Sequence, residues 1–320
     1  VTDKESLLAA VQACGLVGLG GAGFPTAVKL SPKTPVDTLV INGAECGPYL
    51  TADAREFLEN SETAMSGIQA VMKYLDIIKC IIGIERNKPE CIDLMCSLAK
   101  GVAGVEVKPL PSRYPQGAEK VLIESVTGRE VPQGGLPADA GVIVLNVTTV
   151  STIGKYLATG MPLVTRRMTV DGDAVKEPKN VEVIVGTPLQ EVLDFCGVKE
   201  SVTVGKVIMG GPMMGVAVAD LATPVLKQNN GLLVFSEAKA TLPAPQPCIR
   251  CGRCIDACPM GLEPVVIAGA FNKKDAAALD KLCIDLCMLC GSCSYVCPAK
   301  RPVTQTMSLA KDFAKKEASK

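Results

Sequence analysis

The chain has 320 residues, 48% of them hydrophobic, with 33 Lys plus Arg against 33 Asp plus Glu and neither histidine nor tryptophan. Such a length accommodates two or three domains, the balanced charge argues against nucleic acid as a partner, and 3% aromatics leave few platforms for stacking bases. Without histidine a Ser-His catalytic pair and a Rieske centre are excluded, so the chemistry left is the kind a cofactor carries.

No apolar run approaches the about 20 residues of a membrane span, so any membrane association is expected through partners. Eight of the fifteen cysteines fall in two C-terminal runs, which implies a reducing compartment or an anaerobic cell. The chain starts at Val1 with neither Met nor a signal peptide, and further sequence is expected upstream.

Residues 3–14 are predicted as a helix, with Leu7, Leu8, Ala10 and Val11 at helical spacing, ended by Gly15. Gly15, Gly18, Gly20, Gly21 and Gly23 then crowd one short segment before Phe24-Pro25-Thr26. Gly18, Gly20 and Gly23 satisfy G-x-G-x-x-G by spacing. A Rossmann fingerprint, however, follows a strand and opens a helix. This segment follows a helix, so an ordinary Rossmann site is rejected. Glycines let a flat ring or a phosphate approach the backbone, and the segment reads either as such a ligand loop or as a plain turn.

Residues 36–41 are predicted as a short buried strand running into Asn42-Gly43-Ala44-Glu45-Cys46-Gly47-Pro48-Tyr49. Open α/β sheets place ligands at the C-terminal ends of strands. Thr51 is expected to cap the next helix. Helix 61–74, strand 77–84, helix 88–100 and strand 105–110 continue an alternating α/β pattern. The polar loop Arg113–Lys120, with Tyr114, Gly117 and Glu119, enters helix 117–127. Glu45 and Glu119 read either as site residues or as solvated loop acids. Strand 142–147 brings Asn146 and Thr149 to another strand end, and helix 150–159 follows.

Beyond residue 160 the character changes. Alternating stretches at 164–170, 181–185 and 204–209 flank helix 188–196, and Asp171-Gly172 is read as a hairpin turn. Met209, Met213 and Met214 are expected to form a pliable packing patch. Thr241–Pro247 is a stiff, proline-rich linker.

The two cysteine runs follow. Cys248, Cys251, Cys254 and Cys258 are followed by Pro259, and Cys287, Cys290, Cys293 and Cys297 by Pro298, each with C-x2-C-x2-C-x3-C-P spacing. This is the run of two-cluster bacterial ferredoxins, in which the fourth cysteine ligates the other cluster. One [4Fe-4S] cluster is therefore expected on Cys248, Cys251, Cys254 and Cys297. The other is expected on Cys287, Cys290, Cys293 and Cys258. Zinc prefers two separated C-x2-C pairs, and a disulfide framework suits a short secreted chain. The stretch between the runs favours helices at 264–271 and 275–286, so a helical cluster domain is expected, with Cys283 as a buried bystander. A last helix at 303–318 ends in a basic, solvated face.

The segments Gly18–Thr26, Asn42–Tyr49, Tyr114–Lys120 and Asn146–Thr149 resemble the flavin-binding subunit of NADH dehydrogenase complex I. With Met209–Gly215 and the run Cys290–Pro298 behind them, essentially the whole chain resembles the C subunit of the Rnf complex, the ion-translocating ferredoxin:NAD oxidoreductase. The resemblance implies noncovalent FMN cradled by Gly18, Gly20, Gly21 and Gly23, with NADH stacked on it. It implies that Phe24 stacks on the adenine of NADH and that Lys29 approaches the flavin phosphate or ring edge. Asn42 and Glu45 would line the flavin. Tyr114, Gly117 and Glu119 would close the nucleotide side, and Asn146 with Thr149 would anchor the phosphate end. One position departs: the family's run is Ala-Glu-Cys-Glu-Pro-Tyr, and Gly47 stands where the second acid is expected. Full-length members carry a further domain before the residue equivalent to Val1.

The expected architecture is thus an α/β FMN- and NADH-binding domain over 1–160, a small β-grasp, SLBB-like domain with its connection over 161–240, and a helical two-cluster ferredoxin-like domain over 241–320. The expected role is that of an oxidoreductase subunit. It exchanges electrons between NAD(H), FMN and two [4Fe-4S] clusters within a membrane-bound ion-translocating complex, peripheral on the cytoplasmic side and held there by partner subunits. Two alternatives stay open: a soluble reductase of the same kind, serving cobalamin or an amino-acid reductase, and a flavin-free iron–sulfur carrier.

Overall fold

The computed structural model describes residues 1–319 and divides into two compact units, Val1–Ala240 and Thr241–Lys320. In the first unit the elements run α1 (Lys4–Ala13), α2 (Thr26–Lys29), β1 (Thr38–Gly43), α3 (Ala52–Tyr74), β2 (Lys79–Glu85), α4 (Pro89–Ala99), β3 (Val105–Leu110), α5 (Glu119–Thr127), β4 (Val142–Asn146) and α6 (Val147–Thr159). A second group follows: β5 (Thr165–Asp171), β6 (Lys179–Ile184), α7 (Leu189–Cys196), β7 (Val204–Met209), β8 (Val216–Ala217), β9 (Gly231–Ser236) and α8 (Glu237–Ala240).

The central strands of the first sheet are apolar runs buried on both faces, the pattern of a parallel sheet covered by helices. Strands β1 to β4 form a sheet of order β3-β2-β1-β4 with all three pairings parallel. Because side chains alternate along a strand, Leu39, Ile41, Ile82, Ile84, Ile143 and Leu145 share one core with α3, α4 and α6. Val40, Ile81, Val142 and Val144 pack with Leu122, Ile123 and Val126 of α5 on the other face. Two glycines bring α3 and α6 into backbone contact. A Cβ on Gly67 would lie 2.0 Å from the Val150 carbonyl oxygen, and one on Gly154 would lie 2.2 Å from that of Thr63.

The expected helix at 61–74 extends back to Ala52, with one non-helical residue, Asn60, inside it. The second group forms a mixed sheet of order β6-β5-β9-β7-β8, in which β9 pairs parallel with β5 and antiparallel with β7. With α7 this is the β-grasp layer expected after the flavin domain. The central strand β9 carried no sequence expectation. Asp171-Gly172 is not a two-residue hairpin, since residues 172–178 connect β5 to β6. Met209 packs against this layer's core, whereas Met214 is exposed, so the expected methionine patch is only partly built.

The second unit is helical: α9 (Arg253–Asp256), α10 (Pro264–Asn272), α11 (Ala276–Lys281), α12 (Ser292–Tyr295) and α13 (Val303–Ala318). Leu262, Ile267, Leu279, Ile284, Val303, Met307 and Ala310 make its core, with Cys258, Cys287, Cys293 and Cys297 packed against it. Cys283 is half-buried rather than buried, and its φ of 52° breaks the expected helix 275–286 into α11 and a short 3-10 turn.

Gly67→Ala should lower the thermal midpoint of the first unit, because overpacking a close contact costs about 1–3 kcal/mol. Gly269→Ala lies within α10 and would meet nothing within 4 Å. It should be neutral or stabilising by about 0.4–1 kcal/mol. Differential scanning calorimetry checks both.

Candidate functional site

Strand order reverses between β1 and β4: β2 and β3 extend the sheet to one side of β1 and β4 lies on the other. The crevice beyond the carboxyl ends at such a switch point is where open α/β sheets bind ligands. Asn42 and the segment Ala44–Tyr49 leave β1 there, and Asn146 ends β4.

The glycine loop is delivered to this crevice between α1 and α2. Gly18 N–H donates to the Phe24 carbonyl (2.7 Å) and Gly23 N–H to the Gly18 carbonyl (3.2 Å), closing the loop on itself. Leu19, fully buried, pins it. Its N–H donates to Thr149 Oγ1 (2.9 Å), and its carbonyl accepts from Arg166 Nη2 (2.6 Å). Lys227 Nζ donates to the Gly15 carbonyl (2.6 Å). Gly20 sits so close to Asn146 that a Cβ would lie 3.4 Å from that side chain, while Gly20 and Gly21 present exposed backbone.

The facing wall is the loop before α5. Asn42 Nδ2 donates to the Gly117 carbonyl (2.9 Å), and Gly117 N–H donates to Cys46 Sγ (3.2 Å). A Cβ at Gly117 would fall 2.3 Å from the Ala44 carbonyl oxygen, so only glycine lets this backbone press onto the strand end. Tyr114 is half-buried in the same loop. Lys29 of α2 forms an ion pair with Glu119 at the start of α5. Phe24 and Tyr49 are both substantially exposed, and the Tyr49 ring meets Phe235 edge-on at 5.5 Å.

Acids with little exposure gather at these strand and helix ends. Glu45 is not a solvated loop acid: its carboxylate accepts from Asp53 N–H (2.8 Å) and Ala54 N–H (3.2 Å), capping α3. Thr51 occupies the N-cap position but makes no side-chain cap bond, and its hydroxyl accepts instead from Asn180 Nδ2 (2.8 Å). Burial, reinforced by the neighbouring Asp53, pushes Glu45 up to about 8, against the pull of the two capping N–H groups and Lys88. Asp53 accepts from Asn146 Nδ2 (2.7 Å) and Thr148 Oγ1 (2.8 Å). Burial raises its carboxyl too, offset most by Arg166. Glu56 accepts from Ser151 Oγ (2.5 Å) and pairs with Arg167 of β5. Lys88 Nζ reaches the carbonyl of Glu45 (3.3 Å) and the carboxylate of Glu85 (3.1 Å).

Gly18, Gly20, Gly21, Gly23, Asn42, Glu45, Gly117 and Asn146 thus meet at one end of the sheet, with Lys29 and Glu119 paired beside them. Asn146 and Thr149, expected to anchor a phosphate, spend their side chains on protein contacts: Asn146 holds Asp53 and caps α6 through Thr148 N–H (3.0 Å), and Thr149 holds Leu19. Asp53, Thr148, Lys88 and Arg166 escaped the sequence reading, since none sits in a motif. An acid at the start of α3 or an arginine in β5 looks ordinary until the chain folds. Exposed backbone at Gly20 and Gly21 beside Asn146, with N–H groups free of side-chain bulk, fits a flat ligand with polar edges, the chemistry of FMN. Three buried side-chain atoms have no hydrogen-bond partner among the described residues: Thr26 Oγ1, Arg166 Nη1 and Arg167 Nη1.

In the second unit the repeated sequence produces a repeated backbone. Positive φ recurs at Arg250 (54°) and Leu289 (57°), at Gly252 (79°) and Gly291 (86°), and at Gly261 (65°) and Lys300 (51°). Each C-x2-C-x2-C run therefore curls through left-handed residues into a one-turn helix, α9 or α12. Non-glycine residues stay in that region only where their surroundings over-determine it, commonly at ligand clamps. Cys258, Cys287, Cys290 and Cys293 line one small recess, walled by Met260, Leu262, Pro264 and Met307. Cys254 lies within electrostatic reach of Cys248 and Cys251, of which the last two are exposed. Ser292 Oγ is 3.4 Å from Cys290 Sγ, and Lys311 Nζ donates to the Cys287 carbonyl (2.6 Å). Four thiols share this recess, the donor set that a cubane cluster takes.

Residues 11–155 match the Nuo51 FMN-binding domain, residues 167–217 the SLBB domain and residues 247–301 the 4Fe-4S dicluster domain. The chain is 46% identical over 273 residues to the C subunit of the proton-translocating ferredoxin:NAD(+) oxidoreductase complex of Clostridium ljungdahlii, covering 85% of this chain and 59% of that protein. It is 45% identical to the C subunit of the Na(+)-translocating complex of Acetobacterium woodii, covering 83% and 60%. To the C subunit of the ion-translocating oxidoreductase complex of Rhodobacter capsulatus it is 38% identical, covering 96% and 60%. The chain thus spans about 60% of the length of these relatives. Among solved structures, NAD+-reducing [NiFe]-hydrogenase in its H2-reduced state shares the fold, with a TM-score of 0.67 at 18% identity over 97% of this chain and 63% of that one. Over the residues it spans, the chain belongs to the family of C subunits of ion-translocating ferredoxin:NAD(+) oxidoreductase complexes, with a first domain of the Nuo51 FMN-binding family.

Proposed function

We propose that the chain exchanges electrons between NAD(H) and two [4Fe-4S] clusters by way of noncovalent FMN, as the nucleotide-side subunit of a membrane-bound ion-translocating ferredoxin:NAD oxidoreductase. The observation that carries the reading is the presence, in one chain, of a glycine loop beside the sheet's switch point and of two cysteine runs with dicluster spacing. When bound, FMN accepts or donates electrons in pairs toward a nicotinamide and singly toward iron–sulfur centres. The protein's part is binding, orientation and electrostatics. Gly18, Gly20, Gly21 and Gly23 leave room at the backbone, and Asn42 fixes Gly117 on the opposite wall. Lys29 and Glu119 hold each other at the side proposed for the nucleotide, with Phe24 and Tyr114 close in sequence to them. Asn146 and Thr149 act through the loop they hold.

Cys248, Cys251, Cys254 and Cys297 are proposed to ligate one cluster, and Cys258 with Cys287, Cys290 and Cys293 the other. No helix among the described residues is long and apolar enough to cross a membrane. Attachment on the cytoplasmic side would therefore rest on partner subunits, and ion movement would occur in them. Gly47, standing where the family carries an acid, favours a second reading: a soluble reductase of the same family. Co-purification with hydrophobic membrane subunits separates the two.

Anaerobic purification and analysis should find about eight irons per chain, as two cubane clusters require, together with one FMN whose absorbance NADH bleaches. Flavin that is inert to NADH would sink the nicotinamide assignment, and absence of flavin would leave an iron–sulfur carrier. The crossed ligand pattern is tested by double variants. Cys258→Ala with Cys287→Ala should still leave about four irons, because both residues serve one cluster. Cys258→Ala with Cys248→Ala should remove both clusters.

Glu45 gives a pH prediction for the flavin-free protein. Its folded value of about 8 lies above the ordinary 4.5, so the folded state keeps the proton longer. The stability it contributes is complete below the ordinary value and is lost as pH rises toward its folded value. Glu45→Gln cannot ionise. The wild-type urea midpoint should fall relative to that of the variant between about pH 5 and about pH 8; parallel profiles would refute a raised Glu45.

A further inference from the structure

We infer that Arg166, from the β-grasp sheet, is a positioning residue of the flavin site: it fixes the glycine loop at Leu19 and thereby sets the affinity for FMN. The inference rests on the FMN reading above and concerns a domain otherwise read as structural.

Arg166 stands in β5 and is 1% exposed. Nε donates to the Asn229 carbonyl (2.8 Å) and Nη2 to the Leu19 carbonyl (2.6 Å). Burying a guanidinium carries a desolvation cost that good pairing must offset; here Asp53 first, then Glu56, lie close enough to favour the charged arginine. An apolar side chain of similar volume would fill the space without that cost. What arginine adds is direction, because its planar fork aims several donors at once. One guanidinium ties the loop before β9, at Asn229, to the glycine loop, at Leu19.

The opposite side of Leu19 is held as well, since its N–H donates to Thr149 Oγ1 of α6 (2.9 Å). The peptide groups on both sides of Leu19 are therefore clamped between two domains, immediately before the exposed backbone of Gly20 and Gly21. The neighbours of Asn229 reinforce the clamp. Lys227 Nζ donates to the Gly15 carbonyl (2.6 Å), and the Gln228 side chain lies 3.4 Å from where a Gly23 Cβ would be. Consecutive residues of one β-grasp loop thus contact the start and the end of the glycine loop, with Arg166 holding its middle. Arg166 Nη1, like Arg167 Nη1, has no hydrogen-bond partner among the described residues.

R166K and R166M in the full chain test this. R166K keeps the charge but loses the fork, and R166M keeps the bulk. Hydrogen exchange of the flavin-free proteins should quicken at Leu19–Gly23 in both variants, with β1 and β4 unchanged. The dissociation constant for FMN, from fluorescence titration of the deflavinated chain, should rise at least about tenfold, or about 1.4 kcal/mol, with iron content unaltered. R166K binding FMN as wild type would reduce Arg166 to a charge and overturn the inference, as would unchanged loop exchange in both variants. If neither variant folds, T149V removes the clamp from its other side and should give the same two changes; unchanged exchange and affinity there would overturn the inference. Wild type that binds no FMN would overturn the earlier reading and this one with it, whereas wild type and variants binding equally would overturn this one alone.

Discussion

A buried polar network at the N-terminal ends of α3 and α6 is the constraint on which the site depends. Asp53 takes hydrogen bonds from Asn146 and Thr148, Glu56 takes one from Ser151, and Glu45 closes the end of α3 through the N–H groups of Asp53 and Ala54. Arg166 and Arg167 of β5 face these acids from the β-grasp sheet. Low-dielectric surroundings make each bond matter more and each unpaired group cost more. Breaking such a buried pair by removing one partner costs about 3–5 kcal/mol. The network therefore fixes helix ends, the end of strand β4 and the second sheet relative to one another, and the glycine loop is attached to that frame at Leu19.

The geometry has a chemical consequence. A glycine loop is permissive by nature, and a permissive loop binds poorly unless something else restricts it. Here restriction comes from outside the loop: Thr149 on one side, Arg166 on the other and Lys227 at its base. The facing wall is restricted likewise, with Gly117 gripped by Asn42 and Cys46. Two backbone segments without side-chain bulk, each held by side chains from a neighbouring element, stand at the strand ends where the planar ligand is proposed. Burial raises the carboxyl of nearby Glu45 to about 8.

The helical unit follows a different logic. Its core is small: among the described residues one cluster of seven buried apolar side chains, with cysteines packed against it. The left-handed residues that recur in both runs keep the thiol loops curled, and one set of four cysteines shares a recess while Cys248 and Cys251 stand exposed. Small domains of this kind commonly lean on a metal centre for stability, in keeping with the proposed clusters.

Much of this was legible in the chain itself. Apolar runs bounded by turns marked β1, β2 and β4, and the more polar β3 and α13 agree with their expected limits to the residue. The cysteine spacing specified a dicluster segment, and the glycine loop and strand-end polar residues stood out as local patterns that the fold brings to one end of the sheet. What the sequence could not reveal is how distant residues share the work. Glu45 reads as a loop acid until the fold brings it to the start of α3. Thr51 reads as a cap until Glu45 takes that role. Strand β9 pairs in parallel with β5 across more than sixty intervening positions, and Arg166 meets Leu19 from a sequence separation of 147 residues. Burial decides the charge state of the acids and the use of the arginine, and burial exists only once the two sheets are packed in one unit.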